Sequence, residues 1–366
     1  MQSQDLTYQK IYAKLAKRTE KYAADVRNVY LKRMGEIARL CEGVEIPDGK
    51  VFHFNDYPEI ATEAQKQLRS MYSELYQCVR GDVTREWYYA NDDVDRLVKA
   101  MFGKEAAEQP HFAKYFQRNK QAMDAFFARK TEGMDLSQRV WRIVGEGKQE
   151  MELALDLGIG EGMDADALSR EVRQYLKEPE RLFRRVKNKH GELVLSKAAK
   201  AYHPGQGVYR SSYKNAMRLT RTETNMAYRT ADVTRWQQLP FVTGYEVKTS
   251  KSHEARMPKG DICDDLAGVY PKGFVFKGWH PHCLCYMVPK LCADNELEEL
   301  TGRILDGTED EFTPAGMVED VPDQFTQWVG NNAERIENAK SLPYFLRDNY
   351  PNGDVTKAGK WVHFLL

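Results

Sequence analysis

The sequence predicts a mainly α protein: a body of long helices followed, toward the C-terminus, by a small α+β, turn-rich element built on cysteine and histidine. Three observations predict it. Apolar residues recur at three, four and seven along most of the first 200 residues, the spacing that lines one face of a helix. Glycine and proline crowd between Pro258 and Pro281, too densely for helix. Four of the six cysteines, Cys263, Cys283, Cys285 and Cys292, fall within thirty residues.

The elements follow in order. Ile11, Leu15, Tyr22, Val26, Tyr30, Met34, Ile37 and Leu40 predict one long amphipathic helix over 6–40, which Pro47 and Gly49 bring to an end. A short apolar stretch, Val51 to Phe54, precedes Asp56 and Pro58, a start signal for a second helix through Val79, with Gly81 and Asp82 as its stop. Further helical patterns run over 83–101, 112–129, 136–156 and 165–186, with Gly158, Gly160 and Gly162 separating the last two. The loop YHPGQGVYR leads to a helix over 211–238, then GYEVKTS reads as a strand and CLCYMV as a second one across the glycine- and proline-rich turn. An acidic linker around EDEFTPAGMVEDV, a helix over 322–339 and an aromatic-rich end with Trp328, Tyr344, Phe345, Tyr350, Trp361 and Phe364 complete the chain. Three consecutive regions result: a helical N-terminal region 1–130, a middle region 131–292 with a basic helix and the Cys/His element, and an acidic, helical tail 293–366.

At 366 residues, 42% apolar and 30% charged, the chain exceeds one ordinary core of roughly 150 residues and lies outside the disordered and collagen-like classes. No apolar run approaches the roughly 18 to 20 residues a membrane span needs, and the N-terminus lacks the apolar core of an export signal. The expectation is a soluble protein made in the cytoplasm, neither secreted nor in a membrane. The balance of 54 basic and 54 acidic residues hides an asymmetry: Arg181 to Arg235 carries thirteen Lys/Arg against three acids, and Asp294 to the end six against fifteen. Arg181, Arg184 and Arg185 are candidates for phosphate contact, whereas an acidic aromatic tail is ill suited to stacking on nucleic-acid bases.

His253, Cys263, His280, His282, Cys283 and Cys285 lie inside thirty-three residues. A tetrahedral Cys3His set of Cys263, His280, Cys283 and Cys285 suits one structural zinc, because Cys283 and Cys285 are two apart and Pro281 bends His280 toward them. The spacing departs from the usual C-x2-C knuckle, since residue 260 is Gly. A reduced thiol and histidine network and a disulfide stay open beside zinc. His253 opens HEARM, but HExxH needs a second His where Met257 stands, so the zincin motif fails. No phosphate loop or nucleophile elbow occurs, and no catalytic residue is assigned.

On the helix over 211–238, Ala216, Leu219, Glu223, Met226, Thr230 and Val233 share one face, while Arg218, Arg221, Asn225, Arg229 and Asp232 line a polar one. Glu223 in an apolar stripe needs a partner, so Arg221, Glu223, His253 and Arg256 are expected to form a structural ion-pair network.

LSQRVW with LGIGEGMDADALSREV, RLTRTETNMAYR, and GDICDDLAGVYP with GWHPHCLCYMVP resemble, in this order, segments of the phage Mu F-like head morphogenesis family, the minor head proteins of tailed bacteriophages. The His-Pro-x-Cys-x-Cys segment is the most specific of them, and the resemblance covers about residues 131–292. Many members carry a C-x-x-C before the Leu-x-Gly step, and this chain keeps only Cys263. The resemblance implies a non-enzymatic virion protein in few copies, made in the host cytoplasm and then inside the head. It would be portal-associated, partnered by the portal and other head proteins and by packaged DNA, and would aid assembly, packaging or delivery. A different class, a zinc-dependent nuclease or other DNA-processing enzyme using the His/Cys cluster, is the alternative; His253, His280 and Asp261 would be its acid, base or metal groups.

Overall fold

The structure is a computed structural model, and it describes residues 2–47, 50–160, 167, 170, 185–187, 193–195, 211–339 and 341–350. Helices dominate, as the periodicity predicts. In chain order they are α1 (Gln2–Leu40), α2 (Pro58–Phe102), α3 (Lys120–Ala128) and α4 (Leu136–Gly160), then a short pair of strands, β1 (Arg185–Lys187) and β2 (Leu193–Leu195). Next come α5 (Ser212–Gln237), β3 (Val242–Lys248), α6 (Lys251–Arg256), α7 (Ile262–Asp265), β4 (Gly268–Pro271) and β5 (Tyr286–Leu291). The chain continues through α8 (Asp294–Asp306), α9 (Asp323–Asn331), α10 (Ala333–Glu337) and α11 (Tyr344–Arg347). Among the described residues no helix is long and apolar enough to cross a membrane.

Several expectations need correction. Gly81 and Asp82 do not stop the second helix, which runs unbroken from Pro58 to Phe102. The reason is packing: Leu75, Val79, Val83, Trp87, Ala90, Val94 and Val98 form one buried stripe across Gly81. A helical glycine costs about 1 kcal/mol relative to alanine, less than the roughly 1.5–3 kcal/mol contributed by each large apolar side chain the stripe buries. The helix over 112–129 is instead a 3-10 turn over Pro110–Phe116 followed by α3. Asn119 separates them with a left-handed φ of 48°, a conformation asparagine tolerates. An unanticipated helix, α8, precedes the acidic linker, with Leu300 and Ile304 buried. Most of the expected helix over 165–186, with Arg181 and Arg184, lies outside the described residues, as do Trp361 and Phe364; Arg185 opens strand β1 rather than closing a helix.

The chain forms two compact units that interleave along the sequence and do not follow the three consecutive regions. The first comprises Met1–Thr19, Val83–Phe127 and Thr222–Leu366, the second Glu20–Asp82 and Ala128–Arg221.

In the second unit the core is made by Tyr22, Val26, Tyr30, Met34 and Ile37 of α1, Leu68, Met71 and Leu75 of α2, and Val140, Val144 and Leu155 of α4. A buried polar cluster fixes the start of α5: Glu150 accepts from the Ser212 amide at 2.8 Å and from its hydroxyl at 2.5 Å, and Tyr30 bonds the same hydroxyl. Asp156 and Glu152 receive the amides of Phe52 and Phe54 at 2.9 and 3.1 Å, so the irregular apolar stretch is held by α4.

The first unit is built around a three-stranded antiparallel sheet of order β4-β3-β5. Its central strand includes Gly244, where a Cβ would come within 2.7 Å of both the Tyr270 carbonyl oxygen and Val318, so only glycine fits. An aromatic core covers the sheet: Tyr270 packs on Phe274 with ring centroids 4.6 Å apart, and Trp279 meets Phe276 at 4.7 Å and Phe345 at 5.3 Å. From Glu223 to Trp236, α5 is buried on nearly every side. Asn225, Arg229 and Asp232 of its polar face are therefore internal. Tyr12 donates to Asp232 at 3.1 Å, Tyr228 donates to Asp93, and Arg235 reaches Asn91 and Asp95 at 2.9 and 2.8 Å.

Candidate metal centre

The cysteines and histidines of the first unit are brought together by short, heavily capped segments. Ser250 caps α6 by accepting from the His253 amide at 3.2 Å. Helix α7 begins with a reciprocal cap: the Cys263 amide donates to Asp261 at 2.7 Å, and the Asp261 amide donates to Asp264 at 2.8 Å. This holds Cys263 rigidly at the foot of the sheet. The other ligands come from the turn before β5, where the Cys283 amide donates to the His280 carbonyl at 3.1 Å and His282 takes a left-handed φ of 59°. Cys283 and Cys285 belong to this turn, since β5 starts only at Tyr286; the strand read over CLCYMV begins three residues late.

Cys263, His280 and Cys283 present ligand atoms all within 4.8 Å of one another and could hold a metal ion. The Cys263 and Cys283 sulfurs are 3.7 Å apart. A tetrahedron with Zn–S bonds of about 2.3 Å requires an S···S edge of about 3.8 Å, so the two thiols already stand at coordination distance. They are not joined; all six cysteines are free. His280 points Nε2 at the Cys263 sulfur, 3.1 Å away, and Nδ1 lies 2.9 Å from the Pro281 carbonyl. A carbonyl only accepts, so Nδ1 carries a proton and Nε2 is the ring atom directed at the cluster, the orientation a metal-bound histidine takes. Cys285 is buried beside them and interacts with both other thiols, which leaves it as the remaining cysteine of the expected set, outside the three whose ligand atoms lie within 4.8 Å of one another.

The three thiols differ in how readily they ionise. Burial opposes ionisation of Cys283, but hydrogen bonds from Cys263 and Cys285 and the charges of Arg229 and His280 outweigh it and lower its pKa well below the usual thiol value. Cys263 is raised by its hydrogen bonds to Cys283 and Cys285 and by burial. In Cys285 the bond to Cys263 favours the thiolate, yet the bond to Cys283 and burial raise it. Cys41, pushed up to about 12 by burial alone, behaves as a buried apolar side chain. Cys292 is raised by burial and then by Glu296, away from this network.

Arg229 closes the centre from α5. It is buried, and its guanidinium donates to the carbonyls of Lys277 at 3.1 Å, Cys283 at 2.9 Å and Cys285 at 2.7 Å. One cation thus fixes the backbone of the cysteine turn and balances thiolate charge. Gly278 makes room for it: φ is 130°, and a Cβ there would lie 2.8 Å from Arg229 Nη1 and 3.1 Å from the Cys283 Cβ. Tyr344 of α11 borders the same glycine, its hydroxyl buried without a hydrogen-bond partner and raised by burial and then by the Cys283 charge. Neither Arg229 nor Tyr344 was singled out for this role by the sequence; the arginine lies in a helix full of arginines, and the tyrosine is far along the chain.

Three of the four residues expected as one ion-pair network have partners outside it. Arg221 clasps Glu20 at 2.9 and 2.7 Å within the second unit, Arg256 lies along the His282 ring at 3.3 and 3.4 Å, and His253 pairs with Asp264 at 2.9 Å. Glu223 is buried, as its place in an apolar stripe requires.

His280 is the partly exposed member of the cluster, and it edges a cavity of about 930 Å³ walled by Trp279, Trp328, Arg335 and Phe345. This gives the centre a route to solvent on one side. The cysteines themselves are buried. Compared with family models, with curated proteins and with solved structures, the chain matches none.

Proposed function

We propose that this chain is a structural and docking protein, a minor protein of a tailed-bacteriophage head, associated with the portal and aiding head assembly and DNA packaging or delivery. One zinc ion, held by Cys263, His280, Cys283 and Cys285, fastens its Cys/His element. The observation that carries the reading is the embrace of the cysteine turn by Arg229. RLTRTETNMAYR and GWHPHCLCYMVP, two of the segments on which the resemblance to the Mu F-like family rests, meet as one physical unit through that guanidinium. Buried thiols, three donors already gathered in Cys263, His280 and Cys283 and the buried Cys285 as the proposed fourth, suit a structural ion rather than a catalytic one, which keeps a position open for water. A small element cross-linked by metal and held to a long helix by Arg229 suits a protein that docks on others. The portal, other head proteins and packaged DNA are its partners in this reading, in the host cytoplasm and then in the head interior.

Mass spectrometry of purified particles from the phage or induced prophage that encodes the chain tests this, with copy number set against the portal protein. A few to a dozen copies per head is the expected result. Absence from both procapsids and mature heads overturns it. So does metal-dependent cleavage of DNA by the purified protein that is lost in His253→Ala, which would make the cluster that of a nuclease.

A further inference from the structure

The cluster does not end at its four zinc donors. Cys263 belongs also to a second set: His253 Nε2, a carboxylate oxygen of Asp261 and the Cys263 sulfur lie within 4.8 Å of one another. His253 is buried, 2% exposed, and its Nε2 is 2.9 Å from Asp264 Oδ2 and 3.8 Å from Asp261 Oδ1. Asp261 in turn places Oδ2 3.3 Å from His280 Nε2, so the two sets are contiguous. A buried imidazole needs one carboxylate to satisfy it. Two within ion-pairing range, beside a thiol shared with the first set, gather one nitrogen, one sulfur and two carboxylates at a place where a cation would draw them together.

We propose that the centre is binuclear: a second divalent ion is bound by His253, Asp261 and Asp264, with the Cys263 thiolate bridging to the first. This rests on the structural-metal reading above. The second position then has four donors, one nitrogen, two carboxylate oxygens and one sulfur, a set that zinc and cobalt accept in tetrahedral geometry. Charge balances as well. Three thiolates and two carboxylates carry five negative charges, matched by two divalent ions and the buried Arg229. The reciprocal cap of α7 holds both aspartates in place before any ion arrives, so the site is preorganised by backbone hydrogen bonds.

The test is native mass spectrometry of the reduced full-length protein loaded with zinc, alongside titration with cobalt followed by absorption. Two ions per chain are expected in the wild type and one in His253→Ala. Asp264→Asn, which keeps an acceptor for the Asp261 amide, should likewise lose one ion. The first cobalt equivalent should carry most of the thiolate charge-transfer absorption, and the second should add mainly ligand-field bands. One ion in the wild type, unchanged in both variants, overturns the second position and leaves the first standing. Two ions retained in His253→Ala overturns the assignment of its ligands. No bound ion in any of them overturns the metal reading itself.

Discussion

With its guanidinium buried and directed at three backbone carbonyls, Arg229 does for the cysteine turn what a further strand would do for a sheet edge. Hydrogen bonds to a charged donor contribute about 1.5–3 kcal/mol each. Arg229→Met leaves those carbonyls without their donor and should destabilise the protein by about 3 kcal/mol or more; Arg229→Lys, which cannot fork between them, should recover only part of that in a urea midpoint. Asp232, one turn along α5, behaves in the opposite electrostatic sense. Burial, and then the charge of Asp93, raise its pKa well above the usual carboxylate range, against the pull of Tyr12, Arg229 and Arg235. Above the ordinary value of about 3.9, the unfolded chain has released a proton that the folded protein still holds. This group's contribution to stability therefore falls as pH rises toward the folded value. Asp232→Asn should flatten that part of the profile, which unfolding midpoints at mildly acidic and at neutral pH will show.

At the scale of elements, α4 offers a paired test of helix energetics against packing. A Cβ added at Gly145 meets nothing within 4 Å, whereas one at Gly147 collides with the Tyr30 hydroxyl and comes within 2.9 Å of Met34 Cε. Gly145→Ala should stabilise by roughly 0.5–1 kcal/mol through helix propensity. Gly147→Ala should destabilise by about 1–3 kcal/mol, because the α1 side chains it displaces are core; thermal unfolding of the two variants should shift in opposite directions. The same contrast explains what could be read from the sequence. Helix periodicity over Leu15 to Ile37 and over Leu136 to Leu155 was legible because each stripe repeats over many turns. The end expected at Gly81 was misread because a glycine's local penalty is visible in sequence and the buried stripe continuing through Val83, Trp87 and Ala90 outweighs it. Strand β4, Gly268–Pro271, was hidden among turn residues, since its pairing with β3 is a long-range fact.

At the scale of the whole molecule, the chain's neutral total conceals an arrangement that local reading separates only in part. Cys263, His280, Cys283 and Cys285 were legible as a group from residue type and spacing. What was not legible is the company they keep: Arg229 from a helix some fifty residues earlier in the sequence, and Tyr344 and Phe345 from a helix some sixty residues later. The contacts that secure the centre are thus tertiary, so the metal should matter to more than its own loop. Structural zinc sites contribute folding free energy directly, and here the ion would act together with Arg229 on the same turn of a small three-stranded sheet. The most direct measurement is thermal unfolding of the reduced protein before and after metal is stripped by a chelator, with zinc content measured on the same samples and Cys283→Ser in parallel. The account predicts bound zinc, a lower unfolding temperature once it is removed, and the same loss of both zinc and stability in Cys283→Ser. A metal-free protein of full stability would contradict it.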